Sequence, residues 1–409
     1  MPVTTLKASL IAEANKCVLC GMCLPHCPTY SLAKNENESP RGRLVLGKAL
    51  LLGDVEETAG LLEHIDHCLV CRSCEKACPS EVKFGAFMDG LRSHLSKPEK
   101  PAHDFADILI HQDKRRALNK KLWLGQRSGV LSIGKKLIGK SGARLINSLP
   151  KVERFQALNE NYPAIGAEKA KVMFFTGCNS ELLGNTLVIT AIDLLTQLGV
   201  SVKVPKQQGC CGGLSRHHGD AATANELETN NIIAFKHDAN IPIVTLASGC
   251  GASLLDYGVL GDNDNTFTPR VTDINHFILT HLQNHPASFK PLPKKVLLHT
   301  PCSMKNVMRQ DSAILELLKM IPTLDVTNIS SQRGCCGAAG TYMYEQADNA
   351  EALREPILAE VKNQQPDMLV TTNIGCAMHI QAGLKKAGNN VALVHPIELI
   401  AKSVVMDKP

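Results

Sequence analysis

No apolar run in the 409 residues approaches the ~18 consecutive positions that cross a bilayer, so a membrane span is not expected. The opening "MPVTTLKASLIAEANKC" has no apolar stretch of the kind found in secretory leaders, which leaves the cytoplasm as the simplest location. No G-x-G-x-x-G follows a predicted strand and no Walker A loop occurs, so the chain offers no nucleotide cradle of its own. Charge of one sign is scarce as well. A formal net charge of +5 is too small to indicate a nucleic-acid partner. What positive charge there is clusters between Lys114 and Lys151, a stretch holding eleven Lys or Arg and no acid.

Cysteine is the residue in excess. Sixteen cysteines in a reducing compartment are not expected as disulfides, which directs attention to metal or cluster ligation. Four stand in "CVLCGMCLPHCP", as Cys17, Cys20, Cys23 and Cys27, and four in "CLVCRSCEKACP", as Cys68, Cys71, Cys74 and Cys78. Both stretches are C-x2-C-x2-C-x3-C-P, the spacing with which two-cluster ferredoxins bind [4Fe–4S] cubanes. In that arrangement the fourth cysteine of each run ligates the other cluster. The expected sets are therefore Cys17, Cys20, Cys23 and Cys78 for the first cluster, and Cys68, Cys71, Cys74 and Cys27 for the second. A pair of zinc sites is the competing reading; it accounts for four thiolates per site but for neither the third spacing nor the trailing Pro28 and Pro79.

The remaining eight cysteines form two matching sets. Cys178, the pair Cys210–Cys211 and Cys250 are followed by Cys302, the pair Cys335–Cys336 and Cys376, at offsets of 124, 125 and 126 residues. Such a constant offset marks an internal duplication. Around each set, short β-rich runs ("AKVMFF", "KKVLLH", "IPIVTL", "PDMLVT") alternate with segments of helical apolar spacing, which predicts two α/β units with parallel sheets. In open parallel sheets ligands gather beyond the carboxyl ends of strands, where these cysteines fall. Small buried core residues are the plainer explanation for any one of them.

Two ferredoxin runs followed by two CCG repeats resemble the iron–sulfur subunits of membrane-associated dehydrogenases. The likeness is strongest to the glycolate oxidase (glycolate dehydrogenase) iron–sulfur subunit, through "CPTY", "PRGRL", "CLVCRSCEKACPS", "SGCGA", "CCGAAGTY" and "TNIGCAMH". The resemblance implies an α+β multidomain chain. An α-helical double-[4Fe–4S] ferredoxin domain spans residues 1–100, a basic helical linker 101–168, and duplicated CCG domains 169–290 and 291–409. It further implies an electron-transfer subunit without a catalytic residue of its own. Electrons come from FAD on a separate glycolate-oxidising subunit and go towards the quinone pool, with the chain peripheral on the inner face of the membrane. A D-lactate or anaerobic glycerol-3-phosphate dehydrogenase subunit is the alternative within that class, and a heterodisulfide-type thiol–disulfide reductase the alternative outside it. Heterodisulfide-type CCG domains carry a fifth cysteine, which neither repeat has here. For the eight CCG cysteines three outcomes stay open: a cluster, another metal with His379 assisting, or a metal-free pocket.

The basic stretch around Trp123 reads as a connector packed on its own domain, with an amphipathic membrane-surface helix as the rival reading. His217 and His218 are treated as loop histidines, and Arg41 and Arg43 either face a cluster or pair locally.

Overall fold

The β-rich runs condense into two parallel sheets because their side chains are buried on both faces. In the computed structural model, which describes residues 3–95, 107–131, 146–236, 240–259, 266–330 and 334–405, the first sheet is built from five strands. They are β1 (Asn161–Tyr162), β2 (Ala170–Phe175), β3 (Val200–Lys203), β4 (Ile243–Thr245) and β5 (Val271–Asp273). Their order is β1-β3-β2-β4-β5, with only the edge strand β1 antiparallel. Strand β4 is buried at every position, and β2 is buried over its last four residues. Such continuous apolar runs are what a sheet covered by helices on both faces demands.

The short strand β6 (Ser288–Phe289) leads to the second sheet, formed by β7 (Lys295–Leu298), β8 (Asp325–Asn328), β9 (Met368–Val370) and β10 (Ala392–Val394). Its order is β10-β9-β7-β8, all parallel, which repeats the β5-β4-β2-β3 order of the first sheet. The duplication seen in the cysteine offsets is thus a duplication of topology. The C-terminal strand β11 (Val404–Val405) returns to pair antiparallel with β6.

The two units share one core. Phe174, Ile192 and Leu195 of the first lie in the same buried cluster as Val296, Leu298, Ile314, Ile397 and Ile400 of the second. Helix Thr186–Gln197 packs on helix Pro396–Ser403, and helix Ile274–Asn284 on helix Asp311–Lys319. Full burial of each such Leu or Ile is worth about 1.5–3 kcal/mol, so neither sheet is expected to hold its outer helices without the other.

The N-terminal part is helical. Helices Val3–Asn15, Pro40–Leu52 and Phe84–His94 enclose Leu10, Leu51, Ile65, Phe87, Met88 and Leu91. "SPRGRL" is a helix start: Ser39 caps by accepting from the Gly42 N–H at 2.9 Å, Pro40 occupies the first turn, and Gly53 ends the helix at φ +84°. Only glycine fits at 42, because a Cβ there would stand 2.0 Å from the Glu36 carbonyl oxygen. The chain is thus an α+β multidomain protein, and among the described residues no helix is long and apolar enough to cross a membrane.

The described part of the basic segment packs on the first α/β unit. Within helix Gln112–Arg127, buried Arg115 donates to Glu181 at 2.8 and 2.6 Å, and Trp123 lies half-buried under the guanidinium groups of Arg127 and Arg154. Lys135, Lys136, Lys140 and Arg144 lie outside the described residues, as does the expected boundary at 100/101.

One buried acid sets a pH dependence. Asp273 caps helix Ile274–Asn284, accepting from the backbone and side chain of Asn275 through Oδ1, while Oδ2 has no partner. Burial raises its pKa from 3.8 to about 6. The fold therefore favours the protonated acid. Its contribution is full below the unfolded pKa near 4 and is lost as pH rises through 6, on the order of 3 kcal/mol in all. Thermal melts from pH 5 to 7.5 should show Asp273→Asn gaining on the parent chain as pH rises. A constant gap across that range would exclude this origin.

Candidate iron–sulfur sites

Both ferredoxin runs wrap their thiols by the same backbone device. Leu19 and Gly21 adopt φ +56° and +81°, and the matching Val70 and Arg72 adopt +48° and +57°. Left-handed conformations cost a non-glycine residue about 1–3 kcal/mol, so three of these four positions hold strain that the surrounding structure maintains. The result is a tight loop in each run. The fourth cysteines sit differently: Cys27 immediately precedes helix Pro28–Ala33, whereas Cys78 follows the short helix Ser73–Lys76. Neither lies within a helix.

Two cavities result. One is lined by Cys17, Cys20, Cys23 and Cys78, with Cys74 at its wall and Leu44, Val82 and Phe84 closing it. The other is lined by Cys27, Cys68, Cys71 and Cys74, with Pro28, Leu69 and the same Phe84. Each cavity thus joins three cysteines of one run to the last cysteine of the other. Burial pushes the Cys71 and Cys74 thiols well above their ordinary pKa and raises Cys23 as well. Thiols so placed ionise only when a cationic centre offsets their desolvation, which suits an iron–sulfur core.

The cavities differ in access. Cys20 is exposed, and Val18, Leu19 and Met22 around it are 68, 52 and 56 % exposed. The second cavity is roofed by the α/β units. Leu69 and Cys71 pack with Cys302, Cys335 and Tyr342, and the Asn306 amide donates to the Cys71 carbonyl at 2.7 Å. Arg72 pairs with Asp256 at 2.8 Å, and His217 with Asp89 at 2.9 Å. Arg92 donates to the carbonyls of Cys68 and His217 at 2.7 and 3.1 Å. His217 is therefore a joint between domains, and so is His218, which meets Thr341 at 2.6 Å.

Arg41 and Arg43 pair locally. Arg41 bonds Glu36 and the Leu19 carbonyl. Arg43 is wholly buried, forming an ion pair with Glu38 and donating to Thr29 Oγ1 and the Glu38 and His64 carbonyls. Glu38 also receives His64 and His67 at 2.6 and 2.8 Å. This buried network braces Cys27, whose sulfur lies 3.5 Å from the Glu38 carbonyl.

The eight CCG cysteines gather beyond the strand ends. Cys178 and Cys210 approach to 3.7 Å, Cys302 and Cys335 to 3.8 Å, and Cys336 and Cys376 to 2.9 Å. Cys211 is held well below its ordinary pKa because the Cys210 and Cys250 thiols both hydrogen-bond to it. The glycines of the two CCG motifs turn the chain at φ +76° and +90°, and a Cβ on Gly337 would press within 2.6 Å of the Ala350 carbonyl. The two sets meet where Ser248 Oγ and Ser303 Oγ lie 2.9 Å apart.

His379 is not at this site. Its Nε2 bonds the Ala350 carbonyl and its Nδ1 faces Arg354, so both nitrogens are occupied by structure, and the expectation that it assists a metal is withdrawn. The histidine that does approach, His299, sits at the end of β7 with its ring within 4.8 Å of the Cys336 and Cys376 sulfurs. Its sequence signal was the repeat itself: at the same offset the first unit has Phe175.

Residues 13–82 match the 4Fe-4S dicluster domain, and residues 172–255 and 296–381 each match the CCG cysteine-rich domain. The protein is thus of the iron–sulfur class that joins a dicluster ferredoxin domain to two CCG domains. Over nearly its whole length it is similar to glycolate oxidase iron–sulfur subunits. It is 29 % identical to the probable subunit of Bacillus subtilis, covering 96 % of this chain and 94 % of that one. To the Escherichia coli K12 subunit it is also 29 % identical, covering 98 and 96 %. A subunit of the anaerobic glycerol-3-phosphate dehydrogenase of the same E. coli strain is 26 % identical, covering 95 and 98 %.

Proposed function

We propose that the chain is the electron-transfer subunit of a cytoplasmic glycolate dehydrogenase complex. It accepts electrons from a separate FAD subunit that oxidises glycolate to glyoxylate, and delivers them towards the quinone pool at the membrane surface. Residues 1–100 form the cluster domain, 101–168 the linker, and 169–290 and 291–409 the two CCG domains. One observation carries the reading: two adjacent four-thiol cavities that exchange their last cysteines. Cys17, Cys20, Cys23 and Cys78 would hold one [4Fe–4S] cluster, and Cys68, Cys71, Cys74 and Cys27 the other. When bound, such clusters supply reversible one-electron chemistry. The protein's part is to exclude water and position donors. Phe84 closes both sites, the buried Arg43–Glu38 network fixes Cys27, and the α/β units roof the second site. The first site, behind Val18, Leu19 and Met22, is the one a partner protein can reach.

The substrate is read from the relatives' names and from nothing in the chain, since the organic acid would touch another polypeptide. The similarity to the glycerol-3-phosphate dehydrogenase subunit keeps that substrate, with D-lactate, as the second reading. Anaerobic mixing of the purified chain with a glycolate-oxidising FAD protein tests the choice. Glycolate should bleach the chain's visible absorbance within the enzyme's turnover time. Bleaching by glycerol 3-phosphate or D-lactate with their own flavoproteins, and none with glycolate, would transfer the assignment.

A further inference from the structure

The two CCG repeats share topology but not donors. In the second, His299 is fully buried; its Nδ1 lies 2.9 Å from Thr371 Oγ1, while Nε2 has no hydrogen-bond partner. With Nδ1–H donating to Thr371, Nε2 carries a free lone pair, and the ring shares its site with two sulfurs. A buried imidazole nitrogen left unpartnered is costly, so its position calls for a ligand.

The sulfurs point the same way. Cys336 and Cys376 stand 2.9 Å apart, and both are buried with His299. The adjoining Cys302–Cys335 pair is 3.8 Å apart. Two thiolates on one tetrahedral zinc, with Zn–S near 2.3 Å, are separated by about 3.8 Å. Cys336 and Cys376 would open from 2.9 Å to that spacing around an ion, with one sulfur of the neighbouring pair beside them. In the first repeat Phe175 replaces the histidine, and among the described residues no comparable trio of donors forms there.

We propose that the second CCG repeat alone binds one zinc ion, through His299 Nε2, Cys336, Cys376 and one sulfur of the Cys302–Cys335 pair. The ion is redox-inert and ties β7, the CCG turn and helix Ile374–Lys386 into one piece beneath the roof of the Cys71 site. Thr371 is the positioning residue that fixes the imidazole tautomer.

The test is metal analysis of the full chain purified anaerobically, with X-ray absorption at the zinc edge. About one zinc per chain is expected, with one nitrogen near 2.0 Å and three sulfurs near 2.3 Å. His299→Phe, which installs the first repeat's residue, should lower zinc at least tenfold while leaving the iron content and the reduced-state paramagnetic signal intact. His299→Cys should retain the ion, and Cys250→Ser in the first repeat should not alter it. The proposal is overturned by a zinc-free parent chain, by a Cys336–Cys376 disulfide in its mass spectrum, or by zinc coordination without nitrogen. Iron bound at these residues beyond the complement of the two ferredoxin sites would equally overturn it. Because iron reports the relay and zinc reports this site, the two can fail separately.

Discussion

Cys78→Ser removes the cluster at Cys17, Cys20 and Cys23 and leaves the one at Cys68, Cys71 and Cys74. That is the expected result, although Cys78 is only four residues from Cys74. The reason is geometric: Cys78 opens into the cavity of the first run, and Cys27 into that of the second. Iron should fall by about four per chain, half of a two-cubane complement, and one of the two reduced-state resonance signals should vanish. Cys27→Ser should remove the other half. If Cys78→Ser spares the first-run signal and abolishes that of its own run, each run holds its cluster alone and the exchanged sets are wrong. Cys74, at the wall of both cavities, is the variant expected to disturb both signals.

Arg43→Leu should be the most damaging substitution away from any cysteine. Arg43 is 1 % exposed and its partner Glu38 4 %, so removing the guanidinium leaves a buried carboxylate held only by the His64 and His67 rings. Breaking a buried ion pair from one side costs about 3–5 kcal/mol, whereas replacing both partners by apolar groups is often neutral. The network also carries Thr29 and the loop beside Cys27, so the cluster held there should be lost first. The measurement is the rate of bleaching at fixed denaturant concentration, because loss of iron makes unfolding irreversible. Arg43→Leu should bleach at least a hundredfold faster than the parent chain, and Arg43→Leu with Glu38→Leu should recover part of the difference. A rate within threefold of the parent would show that the pair braces nothing.

The spacing of the cysteines carried much of this. The offset between the two sets is a covalent fact of the chain, and it reappears as the shared strand order β3-β2-β4-β5 and β8-β7-β9-β10. What the sequence could not display is how distant segments fall together. Nothing local to Arg43 says that it is buried, because burial is decided by Glu38, Thr29 and His64 around it. His379 follows a CCG cysteine in sequence and has the look of a donor, yet Arg354 and the Ala350 carbonyl claim its ring. His299 lies three residues before Cys302 and bears no local mark of a ligand, although Phe175 at the matching position makes it the odd member of the repeat. The one core uniting both sheets, through Ile397 and Ile400 packed with Ile192, is likewise invisible to local patterning.

The relay stands on the contents of the first 82 residues, and one experiment reads them directly. The full chain, purified without oxygen, is assayed for iron and acid-labile sulfide, then reduced and examined by electron paramagnetic resonance. Two cubanes require about eight irons, about eight sulfides and a spectrum of two interacting spins. A colourless preparation with zinc at the ferredoxin cysteines, no sulfide and no signal on reduction would contradict the assignment outright.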